Sequence, residues 1–360
     1  ERVFDAAPYA GKLVVGRNDT VYRKIVINVW DGTAWSELPD LQDPGSATAA
    51  RVLLEYAGQL IVAGAFEATV AGGSTTRNIV RWDGAQWLAM GDGFDLPVYD
   101  LAVHDGDLIA VGRFTMTGSL PVQGAARWDG ESWHPMGDGP HVYYADTIAS
   151  VGGFLYAAGR LTPLANSMRI ERWDGSSWST WLNELPGLYR VEAASSGLLV
   201  FGLFDNPVGG FFTLRLWNGL SWRTLASEVR GPVSSIHEHA SEIVLAGGVS
   251  GVDATKAFGV AAWTDVHPGQ GRNARPSAGA PTYSAPRSVP GTWRRPENWH
   301  ALHNESGAGI DGIVYSMCTD SRGRLIAGGQ FQRAGNTYAS GIAPWYRSAW
   351  GPLGSVGVFD

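Results

Sequence analysis

One hexapeptide, Trp-Asp-Gly-x-x-Trp, recurs along this chain of 360 residues and constrains its fold more than any other feature. Copies span Trp30 to Trp35, Trp82 to Trp87, Trp128 to Trp133 and Trp173 to Trp178. Trp217 to Trp222 is a fifth copy with Asn218 in place of Asp, and Trp345 to Trp350 keeps the tryptophan spacing without the Asp-Gly. Trp263 has no partner five residues on, and Trp299 is the candidate to supply it. A period of roughly 40–50 residues marks units that stack or close into a ring.

Each unit is longer than its tryptophan pair. In the third, Val98 to Val103 is followed by a turn at His104 to Asp107, by Leu108 to Phe114, by a variable loop, and then by Ala125 to Trp128 and Trp133 to Met136. These are four short β-rich runs bounded by Gly, Asp, Asn or Pro. Glycine in the Asp-Gly turn supplies positive φ without a Cβ penalty. The flanking tryptophans are expected to pack across the hairpin or against the next unit.

The second run repeats with a closing glycine at Gly16, Gly64, Gly112, Gly159, Gly202, Gly247 and Gly328. The expectation is an all-β, seven-bladed β-propeller with four-stranded antiparallel blades. The blades would fall at about 1–45, 46–95, 96–140, 141–186, 187–229, 230–309 and 310–360 of a single domain. Helical solenoids are a poor alternative, given the short, glycine-punctuated runs (48 Gly) and the missing 3.6-residue period. A β-helix requires much shorter repeats. The tail from Val356 to Asp360 outruns the last hairpin and is expected to pair with the first blade.

With Gly-x-Phe after the second run at Gly64-Ala-Phe66, Gly112-Arg-Phe114, Gly202-Leu-Phe204 and Gly329-Gln-Phe331, the unit resembles the kelch-type blade. It is also similar to the Trp-Asp-Gly repeats of bacterial secreted and surface proteins and of Rax2-like proteins. Gly159-Arg-Leu161 and Gly248-Val249 depart from that pattern. The resemblance implies blade architecture and an extracellular or envelope location; propellers host unrelated activities, so it implies no particular chemistry. The copper chemistry of the kelch-like galactose oxidase is not carried over. Cys318 is the sole cysteine, and no Tyr/Tyr/His/His ligand set is identifiable by motif.

A net charge of −7 argues against a broad nucleic-acid footprint. No stretch reaches the ~18 apolar residues of a membrane span. A single cysteine excludes an intramolecular disulfide framework. The chain begins at Glu1 without Met, which reads as a processed or fragment N-terminus.

The main irregularity is the stretch from Thr264 to Asn298, which stands where other units have a four-residue turn. It carries Arg272, Arg275, Arg287, Arg294 and Arg295 against Asp265 and Glu297, a reversal of sign in an acidic protein. Loops of this length are usually functional or disordered. Together with Tyr283 and Trp293, the arginines make it the candidate interaction loop, because aromatics and arginines are common interface anchors.

His237-Glu238-His239 has the alternation of a zinc site, but alignment puts His239 at the first turn with His104, Tyr9 and Tyr56, where a solvated turn residue is the simpler reading. The Asp-Gly turns lack the alternating oxygen ligands of a calcium loop. No metal and no cofactor is assigned. First strands should line the central channel, and alignment brings Asp5, Leu54, Asp100, Thr147, Arg190, Ser235 and Ser316 to one repeated position. If it faces inward, Asp5, Asp100 and Arg190 meet at the channel mouth, where acids could hold a cation or a sugar or do acid–base chemistry.

The functional expectation is a non-enzymatic scaffold that binds another protein or a cell-surface assembly. The alternative is a carbohydrate-active enzyme or a lectin with its site at the channel mouth.

Overall fold

A computed structural model describes residues 2–19, 21–42, 49–162, 167–204, 211–264, 299–303 and 309–353. The interaction loop, with Arg272, Arg275, Tyr283, Arg287, Trp293, Arg294 and Arg295, lies outside the described residues, as does the tail Val356 to Asp360.

Among the described residues the chain is all β apart from one short 3-10 turn, and its sheets stand around a central channel. The inner strands are Arg2–Tyr9, Ala49–Tyr56, Val98–His104, Tyr144–Val151, Leu188–Ala194, Val233–His239 and Ile313–Thr319, each packed against the next and the last against the first. Within a unit the order is sequential and antiparallel, as in Val98–His104, Asp107–Gly112, Ala125–Trp128 and Trp133–Pro135.

The expectation of seven separate four-stranded blades is corrected. The described strands hydrogen-bond into five sheets of four or more strands, so the propeller is five-bladed when a blade is such a sheet. Two local events separate sheets from sequence units. Strand Trp222–Arg230 runs on past its hairpin and pairs with strand Glu242–Val252 through Val229↔Val252 and Arg230↔Gly251, which joins two units into one eight-stranded sheet. The last unit, without its Asp-Gly turn, forms a three-stranded sheet, and Trp345↔Trp350 is left as an isolated bridge.

The tryptophan hairpin explains itself in atomic terms. Asp129 Oδ1 accepts the backbone N–H groups of Glu131 and Ser132, both at 2.9 Å, and Gly130 takes φ 106°. Asn218 Oδ1 does the same for Leu220 and Ser221, so the amide oxygen serves this turn as the carboxylate does the others. These are capped turns, and the carboxylate is spent on the backbone. The paired rings meet across the hairpin at 5.1–5.5 Å, from Trp345–Trp350 to Trp173–Trp178. Trp263 is in register with Trp299, as the spacing suggested.

The second tryptophan of the pair also ties units together. Trp87 donates its indole N–H to Pro39 O (2.7 Å), Trp133 to Met90 O (3.0 Å), Trp178 to Met136 O (3.0 Å), Trp299 to Leu225 O (2.7 Å) and Trp350 to Leu302 O (2.8 Å). Every acceptor lies in the preceding unit. Apolar layers fill the gaps between units, and the closing layer joins Val3, Leu13 and Trp30 to Cys318, Ile326 and Leu353. Burial pushes the Cys318 thiol pKa up, which leaves it inert.

Candidate functional site

Every inner strand carries a register shift at the same place: between Val3 and Asp5, Ala50 and Val52, Val98 and Asp100, Ala145 and Thr147, Leu188 and Arg190, Val233 and Ser235, and Val314 and Ser316. One extra residue is thus inserted into each strand, a β-bulge of the kind that re-aims side chains near functional sites. The repeated glycine of the second run makes room for it. A Cβ on Gly112 would stand 2.3 Å from Pro97 O, and one on Gly64 2.4 Å from Ala49 O. No real side chain tolerates such a contact.

The residue after the bulge clasps the neighbouring inner strand. Asp5 Oδ2 accepts Leu53 N–H at 2.8 Å, and Asp100 Oδ2 accepts Ile148 N–H at 2.9 Å. Thr147 donates to Val191 O at 3.0 Å and Arg190 to Ser234 O at 3.1 Å. Ser316 bonds Asp5 Oδ1 and accepts Ala6 N–H at 3.3 Å, which links the last inner strand to the first; among the described residues Val52 and Ser235 make no such bond. The acids and the arginine of the aligned position thus first hold strands together. Leu54 is the exception. The bulge places Val52 at that position, two residues earlier than the alignment had it.

A cavity of about 610 Å³ at the channel mouth is lined by Asp5, Asp100, Arg190 and Ser316. That volume lies within the range of small-molecule pockets. The inserted bulge residues line it as well: Phe4, Arg51, Tyr99, Asp146 and Tyr315. Sequence reading missed this second set, although in four units an aromatic directly precedes the aligned position and a repeated glycine marks the strand opposite.

Electrostatics in the mouth are governed by burial. It raises the Asp5 pKa to about 6 against its hydrogen bonds from Ser316, Leu53 and Ala6. Burial also raises Asp146 to about 6, with Arg160 and Arg51 pulling the other way. Asp100 and Glu192 are raised by burial too. For Arg190, burial disfavours the charge, but Glu192, Asp100 and Asp5 outweigh it and raise its pKa. Arg190 Nε pairs with Glu192 at 3.1 Å. Arg51 lies over the Tyr99 ring, 4.9 Å from its centroid, and Tyr144 meets Tyr99 edge-on at 5.4 Å.

His237 lines the cavity, and burial with the neighbouring His239 lowers its pKa to about 4. His237 and His239 share the hydroxyl of Thr319 on the next inner strand at 2.9 and 3.0 Å. Likewise His104 bonds Ser150 at 2.9 Å, so these histidines are half-buried or buried strand contacts instead of solvated turn residues. A further cavity of about 500 Å³ lies at the seam between the first and last units, but its Asp311 is taken up by Gln332 and Arg333 N–H groups.

No family model matches the chain, and no curated protein matches it. Solved structures resemble it at low identity. The WD40 β-propeller domain of Doa1 is 12% identical with a TM-score of 0.48, over 91% of this chain and 89% of that one. The structure of YjhT is 12% identical with a TM-score of 0.46, over 72% and 94%. The β-propeller domain of the Trilobed protease from Pyrococcus furiosus is 14% identical with a TM-score of 0.45, over 66% and 71%. The class is a β-propeller, and the sheet topology above carries that statement. Kelch-like or Rax2-like membership finds no family match.

Proposed function

We propose that this protein is a non-enzymatic binding propeller that recognises a partner protein at its channel mouth. One observation carries the reading: the bulge in each inner strand turns a second circle of side chains, Phe4, Arg51, Tyr99, Asp146 and Tyr315 among them, toward one cavity. The chemically loaded groups beside them, Asp5, Asp100 and Arg190, are engaged in strand clasps. Such an arrangement favours recognition by a stiff, preorganised surface over bond chemistry. The loop bearing Arg272 to Arg295 is a second proposed contact, and an extracellular or envelope location remains part of the proposal. Aromatic bulge residues also suit a carbohydrate face, which is the second reading.

Capture from the native source tests it. Bait proteins are the intact chain, Tyr99→Leu/Tyr315→Leu, and a chain with 264–298 replaced by a short Asp-Gly turn. Loss of a specific partner from the folded double variant supports recognition at the mouth. An unchanged partner set from that variant contradicts it.

A further inference from the structure

The charge inventory and the aromatic wall of the mouth specify a ligand chemistry. We infer that the mouth takes the cationic head of a basic side chain, guanidinium or ammonium, presented by the partner protein. The inference rests on the mouth being the recognition site.

Four carboxylates, Asp5, Asp100, Asp146 and Glu192, line the cavity against two guanidiniums, Arg51 and Arg190. Both cations are committed. Arg190 is held by Glu192 and Ser234 O, and Arg51 by the Tyr99 face. Asp5 and Asp100 are satisfied by backbone N–H groups. Asp146 differs: among the described residues its carboxylate makes no hydrogen bond or ion pair. It occupies the bulge position of the strand next to that of Tyr99, and both line the cavity.

A half-buried carboxylate that Arg160 and Arg51 reach only through space, with no hydrogen bond or close ion pair, is costly, and an incoming cation offsets that cost while a neutral ligand leaves it in place. The aromatic wall points the same way independently of charge. The resident Arg51–Tyr99 pair is a cation–π contact inside this mouth, and Phe4 and Tyr315 supply further aromatic lining. Burial holds Asp146 near pKa 6, so a bound cation lowers it and releases protons on binding near pH 6. Arg160 and Arg51 act on Asp146 from neighbouring strands, while His237 is neutral at that pH. Tyr144, two residues earlier on the strand, is raised by its own burial and stays neutral.

Titration calorimetry with acetylated, amidated triarginine tests the inference, with triglutamate and a neutral oligosaccharide as comparison probes. Triarginine is expected to bind saturably, about tenfold more weakly to Asp146→Asn and severalfold more weakly to Tyr99→Leu. One charge in a net −7 protein changes nonspecific attraction little, so a tenfold loss is local. Asp146→Asn removes an unpaired charge, so its thermal midpoint should not fall, which separates lost binding from lost folding. Absent saturable triarginine binding, or equal binding by Asp146→Asn, overturns the inference, as does preferential binding of triglutamate or the oligosaccharide. If native partner capture is lost with Tyr99→Leu but kept with Asp146→Asn, the cationic ligand is wrong while the mouth stands. If both variants keep the partner, both readings fall.

Discussion

The indole N–H of Trp35 donates to the carbonyl of Leu353 at 3.1 Å, so two residues 318 positions apart close the ring. It is the same bond that Trp133 makes to Met90 one unit back in the chain. Among the described residues no strand crosses the seam. Side-chain packing, this latch, the Ser316–Asp5 clasp and the Arg322 bond to Gly32 O at 3.1 Å hold it.

Trp35→Phe therefore removes one latch and should destabilise the protein by about 1–2 kcal/mol, the scale of a lost hydrogen bond plus an unsatisfied carbonyl. Trp133→Phe should cost a comparable amount. Urea unfolding of both variants measures this. A much larger loss for Trp35→Phe would mean that the seam depends on this bond more than internal junctions do.

Asp100 is predicted to matter first as a clasp. Asp100→Ala leaves Ile148 N–H unpaired and should cost about 1–3 kcal/mol. Asp100→Asn keeps an acceptor oxygen and should lose less. Equal losses in chemical denaturation would contradict the clasp.

Gly112→Ala should be among the most damaging single-methyl additions in the molecule. The new Cβ meets Pro97 O at 2.3 Å, whereas a Cβ on Gly58 meets nothing within 4 Å, though it must adopt φ +75°. Thermal unfolding should show a far larger drop for Gly112→Ala than for Gly58→Ala. Similar drops would remove the link between repeated glycine and bulge.

The pH dependence has a definite sign. In the fold Asp146 titrates near 6, above the ~3.9 of an unfolded aspartate, so the folded state binds more protons between about pH 4 and 6. Stability from this group is full below about pH 4 and falls as pH rises through 6. Asp5, also near 6, acts in the same sense, while His237, lowered to about 4, acts in the opposite one. The difference between wild type and Asp146→Asn isolates one group. The variant should gain on the order of 1–2 kcal/mol relative to wild type from pH 4 to pH 7, after allowance for solvent at the cavity. A difference that stays constant with pH contradicts an Asp146 whose burial outweighs the pull of Arg160 and Arg51.

Much of this was legible because the repeats are chemically explicit. Trp-Asp-Gly-x-x-Trp announces a capped hairpin, and aligning units put Asp5, Asp100, Thr147, Arg190, Ser235 and Ser316 on one inward position. Val52 was misassigned as Leu54 because no polar residue marks that strand and the inserted residue shifts local register. Phe4, Arg51, Tyr99, Asp146 and Tyr315 escaped for the same reason. A strict period-2 reading assigns adjacent residues to opposite faces, and a bulge breaks that rule. Sheet number was not legible either. It depends on whether Val229 and Arg230 continue as a strand toward Gly251 and Val252, a pairing outside the repeated motif.

The most direct test of recognition at the mouth is site-specific photo-crosslinking in the native source. A photoreactive residue replaces Tyr99 in one sample and the exposed Leu220, on a hairpin turn, in another. Recognition at the mouth predicts a discrete crosslinked partner from position 99 and none from 220, with the position 99 product competed by triarginine. A partner crosslinked from position 220 and not from 99 would place recognition elsewhere on the propeller and contradict the account.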